Sequence, residues 1–256
     1  MQLDIQQQIQ QVFTERGGTP LFFIESGSRL WGIASPDSDY DVRGVHLPSK
    51  AQYFDFRKHR DLIELMDGDF DFVSYDLDKL FGLLAKSNPT VLEWLRAHIV
   101  YHNAYPEFET FKSNVLANID FKALYHHYLS IAKGTFALIE SNRMFTYKKV
   151  FYCIRGLLSA ELASQHVMPE LLIDKLLAQT HHRKEIVALA ENSLEAKRQQ
   201  VEKQGVPEAA RSKILRVLRQ EIELLGNREV TSSNKRNQLE ALLTEEAIRL
   251  KERYYG

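Results

Sequence analysis

The first hundred residues alternate between short apolar runs and polar turns. Residues 2–16 carry apolar side chains at the spacing of an amphipathic helix, which two glycines then end. The apolar run 21–24 and the positions 40–45 predict two strands. Apolar runs at 62–66 and 70–75 flank an Asp-Gly pair, which predicts a β-hairpin. This part of the chain therefore combines helices with a mixed sheet.

The pattern becomes helical from residue 77 onward, and after about residue 112 no strand pattern remains. Charged segments with helical periodicity cover roughly 112–141, 144–166, 169–203, 206–226 and 233–254. We expect an α+β protein in which a mixed-sheet domain, residues 1–112, is followed by an all-α helical bundle, residues 113–256.

Charge divides the chain at the same place. Residues 1–112 contain 11 Lys and Arg against 17 Asp and Glu, whereas the remainder contains 22 against 17, and the total formal charge is −1. An acidic part suits divalent cations, and a basic part suits phosphate groups or nucleic acid. Solvated surface explains such an asymmetry equally well, so charge alone assigns no function.

Bulk properties exclude some classes of protein. The single cysteine, Cys153, rules out an internal disulfide and a cysteine-built metal site, and its apolar neighbours predict a buried thiol in a helix. The apolar runs are too short to span a membrane and no secretory leader is recognised, so we expect a cytoplasmic protein. A phosphate-binding loop of the P-loop type is absent.

Candidate chemistry is concentrated in Ser38-Asp39-Tyr40-Asp41-Val42-Arg43-Gly44. Residues two apart on a strand point to the same face, so Asp39 and Asp41 should project side by side. Two adjacent carboxylates repel unless a cation lies between them, and Mg²⁺ favours such oxygen ligands together with substrate phosphates. Arg43 shares this face and is expected to neutralise the carboxylates when no metal is bound.

A third carboxylate would complete a two-metal site. Asp71 lies between Phe70 and Phe72, whose side chains should anchor the opposite face of the strand. Asp69 shares the face of Asp71 and is the alternative. Upstream, a tight turn at Gly27 and Ser28 offers backbone amides and a hydroxyl for a triphosphate.

These motifs resemble a known superfamily. A Gly-Ser pair after an apolar strand, then Asp-x-Asp flanked by apolar residues, then a lone carboxylate on another strand is the pattern of the DNA polymerase β-like nucleotidyltransferases. Gly27 to Gly32, Ser38 to Gly44, and the later Ser87-Asn88-Pro89-Thr90-Val91-Leu92-Glu93-Trp94-Leu95 are similar to the RNA repair pathway DNA polymerase β family. The resemblance covers roughly residues 20–165.

The resemblance implies a metal-dependent nucleotidyltransferase that moves a nucleoside monophosphate from an NTP, such as ATP, to a hydroxyl. It implies two Mg²⁺ ions, with Mn²⁺ as an alternative, bound by Asp39 and Asp41, while Asp71 orients the attacking hydroxyl. Gly27 and Ser28 would hold the β- and γ-phosphates. It further implies that the helical part closes over the nucleotide with Lys133, Lys148, Tyr152 and Arg155. The spacing of the last three places them on one face of a helix.

The acceptor stays open at this point. The family likeness favours an RNA 3′ end, while a protein hydroxyl or a small molecule remain alternatives. A protein that only binds nucleotide or RNA on the same fold is a further alternative, because a fold does not fix its chemistry. Lys and Arg on a helix are most often solvated surface, which is the simpler interpretation of Lys148 and Arg155.

Overall fold

The computed structural model describes residues 4–34, 38–141, 143–198 and 205–256. Within these residues five strands form one sheet in the order β3-β4-β2-β1-β5. β2 and β4 are parallel, and the other neighbouring pairs are antiparallel. The strands are β1 (Thr19–Glu25), β2 (Tyr40–Leu47), β3 (Leu62–Asp67), β4 (Phe70–Asp76) and β5 (Val100–Asn103).

Twelve helices complete the described structure. They are α1 (Ile5–Arg16), α2 (Gly27–Leu30), α3 (Lys50–Phe54), α4 (Leu77–Leu84), α5 (Pro89–Leu95), α6 (Phe108–Ala117), α7 (Phe121–Glu140), α8 (Tyr147–Ser164), α9 (Ile173–Gln179), α10 (Lys184–Arg198), α11 (Glu208–Gly226) and α12 (Arg236–Tyr255). The α+β class is confirmed.

One face of the sheet is covered by α1. The predicted apolar stripe of this helix is buried, and it packs on Phe23 of β1, Val42 of β2, and Phe70 and Phe72 of β4. Because side chains alternate along a strand, the intervening residues of β2 and β4 point to the opposite face. This alternation is what brings the polar residues of the site together.

The chain forms two compact units. The first contains the described residues within 1–31, 37–119 and 234–256, and the second those within 32–36 and 120–233. These units do not coincide with the predicted domains 1–112 and 113–256, because the first unit also includes residues 113–119 and the last helix, and the described residues within 32–36 belong to the second. α12 packs in the first unit against α4 and α6, and Tyr255 stacks on Tyr53 with ring centroids 4.9 Å apart. The periodicity of residues 233–254 predicts a helix, but it does not indicate which apolar surface that helix covers.

The predicted strands and hairpin are confirmed, and β5 is an addition that the sequence did not predict. β5 is only four residues long and half exposed, so it lacks the apolar run on which the strand prediction depends. The predicted helix 169–203 is two helices, α9 and α10, and its residues 199–203 lie outside the described part of the chain. None of the described helices has the length and apolar character needed to cross a membrane.

Cys153 is buried in α8, as the sequence predicts. Its thiol contacts the backbone carbonyl of Ala132, and burial raises the pKa of the thiol to about 12. Because a thiol must ionise to act as a nucleophile, this environment is that of a structural cysteine.

Candidate active site

Two carboxylates occupy equivalent positions on neighbouring parallel strands. Asp41 of β2 is paired in register with Asp71 of β4, and both side chains are 27% exposed. Phe70 and Phe72 point to the other face and are buried, as expected from the sequence. The strand pairing therefore brings together two acidic residues that are thirty positions apart in the chain.

Arg43 lies between these two carboxylates. Its Nη2 donates to Asp41 Oδ1 at 3.0 Å and to Asp71 Oδ2 at 2.8 Å. Its Nη1 donates to Asp71 Oδ1 at 3.1 Å and to the Asp71 backbone carbonyl at 2.6 Å. The guanidinium thus supplies the positive charge that two adjacent carboxylates need, which is the role expected of it from its position on β2.

Asp39 and Asp69 are placed differently. Asp39 immediately precedes β2 and is exposed, and its backbone carbonyl accepts a hydrogen bond from Arg29 Nε at 3.2 Å. Asp69 lies at the hairpin turn and is also exposed, and its carbonyl accepts from the backbone amide of Tyr40 at 2.7 Å. Of the two acidic residues considered in the hairpin, Asp71 is the one beside Asp41.

The Gly27-Ser28 turn lies against one of these carboxylates, Asp41. Gly27 has a φ of +59°, and a Cβ added there would lie 2.0 Å from Asp41 Oδ2. Only glycine fits, because the backbone of this turn approaches the carboxylate too closely for a side chain. Ser28 follows in α2 and is half-buried. The turn and the carboxylates therefore form one continuous surface.

Glu25 is a buried carboxylate behind this surface that the sequence analysis did not single out. Its Oε1 accepts the backbone amide of Asp41 at 3.0 Å, and its Oε2 accepts the hydroxyl of Tyr101. Burial raises the pKa of Glu25, while these two hydrogen bonds oppose the rise. An acidic residue ending the apolar strand 21–24 was the available signal.

Arg29 is a second residue that sequence reasoning missed. Its guanidinium lies 4.0 Å from the centre of the Tyr40 ring and donates to the carbonyl of Ser38 at 2.7 Å. Together with the bond to the carbonyl of Asp39, these contacts fix the backbone that carries Asp39 into β2. An arginine in a polar turn carries no sequence pattern that would reveal this role.

The electrostatics of the site disfavour a fully charged carboxylate at Asp41. Burial raises the pKa of Asp41, Arg43 lowers it, and the neighbouring Asp71 and Asp39 raise it again, with a net rise. A cation placed among these groups would stabilise the ionised form.

Comparison with known proteins identifies the family. Residues 1–245 match the RNA repair pathway DNA polymerase beta family. The chain belongs to this family. Membership in the RNA repair pathway DNA polymerase beta family, together with the mixed sheet, indicates a polymerase β-like nucleotidyltransferase.

Two uncharacterized proteins are similar to this chain in sequence. The uncharacterized protein YcgL of Bacillus subtilis (strain 168) is 34% identical over 180 residues, which cover 70% of this chain and 69% of that protein. The uncharacterized protein MJ0002 of Methanocaldococcus jannaschii is 32% identical over 142 residues, covering 54% of this chain and 57% of that protein. A solved nucleotidyltransferase-like protein from Exiguobacterium sibiricum 255-15 aligns over 97% of this chain and 77% of its own, with 11% identity and a TM-score of 0.29.

The donor set of the site fits a divalent cation in its chemistry. Asp39, Asp41 and Asp71 offer carboxylate oxygens, which Mg²⁺ and Mn²⁺ prefer, and polymerases are among the enzymes that use paired metal ions. Within the described residues, however, no group of three or more His, Cys, Asp or Glu side chains is arranged to hold a metal ion. Arg43 occupies the space between two of the three carboxylates.

The four helical residues suggested by the family resemblance all belong to the second compact unit. Lys148 and Tyr152 are half-buried neighbours on α8, with the Lys148 ammonium 5.9 Å from the Tyr152 ring centre. Arg155, one turn further on, is only 8% exposed. Lys133 of α7 is exposed, and its ammonium lies 3.6 Å from the position of a Cβ added at Gly226, the end of α11. A cation at that helix end also stabilises the helix dipole.

Proposed function

We propose that this protein transfers a nucleoside monophosphate from an NTP to a hydroxyl group, with an RNA 3′ end as the acceptor. The observation that supports the proposal most directly is the pairing of Asp41 with Asp71 on parallel strands, next to a glycine turn that no side chain could fit. In phosphoryl transfer the protein forms few covalent bonds with the substrate and acts mainly by positioning it and stabilising its charge. Charged side chains held beside a phosphate-binding turn can therefore support this reaction.

Each group in the site has a proposed task. Asp39, Asp41 and Asp71 hold two Mg²⁺ ions, which when bound would supply positive charge for the attacking and leaving oxygens. Asp71 also orients the acceptor hydroxyl towards the α-phosphate. Gly27 and Ser28 hold the β- and γ-phosphates through the backbone amides and the hydroxyl.

Three other residues keep this arrangement in place. Glu25 fixes the backbone of Asp41, and Arg29 fixes the backbone before β2. Arg43 balances the carboxylates of Asp41 and Asp71, and its guanidinium bonds to oxygens that a divalent cation could also use.

We also propose nucleotide contacts for the residues of α7 and α8 that the family resemblance suggested. Lys148 and Tyr152 offer a cation and an aromatic ring, both half-buried, on one side of α8, and Lys133 offers a second cation. Arg155 is buried, so we propose that it stabilises the packing of α8 in addition to contacting the nucleotide.

A second function is a nucleotide- or RNA-binding protein without catalysis. The observation in its favour is Arg43, which already neutralises the two carboxylates that a metal ion would need. Such a protein would bind NTP or RNA but release no pyrophosphate.

The deciding experiment supplies each of the four α-labelled NTPs with Mg²⁺ and an RNA that ends in a 3′-hydroxyl. The proposal predicts label on the RNA and an equal amount of pyrophosphate. A matched RNA lacking the terminal 3′-hydroxyl should accept no label. Label on a protein or small molecule would correct the acceptor, and NTP or RNA binding with no pyrophosphate would establish the non-catalytic alternative.

A further inference from the structure

An unusual surface lies between α3 and β3, at residues 54–60, with the sequence Phe-Asp-Phe-Arg-Lys-His-Arg. We call it the aromatic–basic segment. Phe56 is 94% exposed and Phe54 is 66% exposed. Arg57, Lys58 and Arg60 are exposed as well. Two phenylalanines open to water bring no benefit to folding, because burial is what makes an aromatic ring stabilising.

The two rings are supported in different ways. Phe54 contacts Tyr53 and Tyr255 edge-on, with ring centroids 5.1 and 6.0 Å apart. Phe56 has the Arg57 guanidinium 5.5 Å from its centre. An exposed aromatic ring beside a cation, as at Phe56, is a group on which single-stranded nucleic acids stack their bases.

The charges around these rings favour an anionic partner. Arg57 is paired with Asp55, and Arg60 with Glu64. Lys58 and Arg16, in contrast, have no carboxylate partner within the part of the chain that the structure describes. The aromatic–basic segment itself contains three Lys or Arg residues and one carboxylate, so it carries excess positive charge.

A cavity of about 190 Å³ adjoins the segment. Arg16, His46, His59 and Arg60 all line it, together with Glu64. His46 is buried and its Nδ1 is bonded to the hydroxyl of Ser74 at 2.7 Å, while His59 is paired with Asp76 at 2.9 Å. Arg16, which has no carboxylate partner in the described part of the chain, gives this opening a cation that suits a phosphate group, and the paired Arg60 and His59 lie beside it.

This surface is separate from the candidate active site. The cavity lies at the end of β2, at His46, whereas Asp41 lies near its start. Five residues of extended strand separate them, which corresponds to roughly 16 Å. An RNA strand reaching both places would span several nucleotides.

We propose that the aromatic–basic segment and the adjoining cavity bind single-stranded RNA, with bases stacked on Phe54 and Phe56 and a backbone phosphate in the cavity. Two exposed rings followed by a run of basic residues favour a polynucleotide over an apolar protein surface or a lipid, for which contiguous apolar area is needed. The choice of RNA rather than DNA rests on the proposed function.

The test measures binding of a fluorescent, unstructured oligoribonucleotide by anisotropy, in EDTA and without NTP. Phe56→Ala should weaken binding by roughly 5- to 100-fold, the range for one lost base stack. Phe56→Trp should bind at least as tightly as the wild type, and Ile248→Ala, which truncates an exposed apolar residue of α12, should bind like it. Lys58→Gln should make the dependence of log affinity on log salt shallower by about 0.7, whereas Lys213→Gln, an exposed lysine of α11, should not.

Several outcomes would overturn the proposal. Unchanged RNA affinity in Phe56→Ala would show that bases do not stack on this surface. If Lys213→Gln changed the salt dependence as much as Lys58→Gln, binding would depend on the general charge of the protein and not on this segment. A change only in oligomeric state would make it a protein interface, and equal or tighter binding of DNA of the same sequence would refute the choice of RNA. Binding that depends on Phe56 without any pyrophosphate release would refute the transferase and leave this surface intact, whereas transfer with binding indifferent to Phe56 would do the reverse.

Discussion

Asp41 and Asp71 face each other across the parallel pair β2 and β4, and Arg43 bonds to both. The relationship depends on the hairpin, because β3 carries the chain away so that β4 can return alongside β2 in the same direction. The carboxylates are thus held by the sheet rather than by a loop, which gives a binding site a rigid base.

Replacing Arg43 should expose the repulsion between the carboxylates. Arg43→Gln is expected to lower the free energy of unfolding in EDTA by about 2 kcal/mol, the scale of hydrogen bonds to charged groups. Mg²⁺ or Mn²⁺ should restore part of the loss by taking the vacated position. Urea unfolding with and without metal measures both effects.

Arg57→Gln is the matched control for this experiment, because Arg57 also pairs with an aspartate but on the exposed surface. Its stability should change little and should not respond to metal. An Arg43→Gln protein as stable as the wild type in EDTA would show that the guanidinium does not balance the two carboxylates.

Gly27 and Gly68 form a natural pair for testing the glycine turn. Both have left-handed backbone, with φ of +59° and +56°, but a Cβ at Gly68 meets nothing within 4 Å. Gly68→Ala should therefore cost only the backbone strain, about 1 kcal/mol. Gly27→Ala should cost more and should abolish nucleotidyl transfer, because the new methyl group displaces the Asp41 carboxylate.

Thermal unfolding and the transfer assay, run on both alanine variants, check this comparison. Equal losses of stability with equal activity would mean that the close approach of Gly27 to Asp41 has no functional role.

The sequence was sufficient for the residues whose pattern is local. The alternation around Asp41 and Asp71 predicted which side chains share a face, and the Asp-Gly pair predicted the hairpin that brings β4 back. The position of Arg43 two residues after Asp41 predicted its contact with that carboxylate.

Contacts between elements far apart in the chain could not be predicted from the sequence. Nothing in the pattern of α12 indicates that it covers α4 and α6 rather than joining the other helices, since its apolar stripe would suit either surface. The contact of Glu25 with the amide of Asp41 depends on the antiparallel register of β1 and β2, which spacing does not determine.

His46 makes stability depend on pH. Burial and the neighbouring His59 lower the pKa of His46 to about 4, from 6.5. Between these values the unfolded chain binds the proton and the folded protein does not. The free energy of unfolding is therefore unaffected by the ionisation of His46 above pH 6.5 and decreases as the pH falls from 6.5 towards 4. The full effect is about 3 kcal/mol.

His46→Gln removes the titrating group, so its free energy of unfolding should fall less than that of the wild type between about pH 7.5 and pH 4.5. Urea unfolding of both proteins at these two pH values measures the difference. Parallel pH dependence in the two proteins would contradict the buried, neutral state of His46.

Substitution of Lys148 is a clearer test of the nucleotide contacts proposed for the helical unit than substitution of Arg155. Arg155→Ala is expected to destabilise the fold because the residue is buried, which would obscure any loss of nucleotide affinity. Lys148→Ala should keep its stability and weaken NTP binding by several-fold, about 1 kcal/mol. Titration with a fluorescent NTP measures the affinity, with Lys213→Gln as the exposed control, and equal affinities in the two variants would assign Lys148 to solvated surface.

We propose that Asp41 and Asp71 form a catalytic pair, and pyrophosphate release from NTP with Mg²⁺ and RNA is the decisive measurement. Asp41→Asn and Asp71→Asn should each reduce the rate by at least about 100-fold. Asp41→Asn should retain or gain stability, because the fold already raises the pKa of Asp41 and so disfavours its charged form at neutral pH. Asp69→Asn, which changes the exposed carboxylate at the hairpin turn, should release pyrophosphate at close to the wild-type rate. Near-wild-type release by Asp41→Asn would contradict the account.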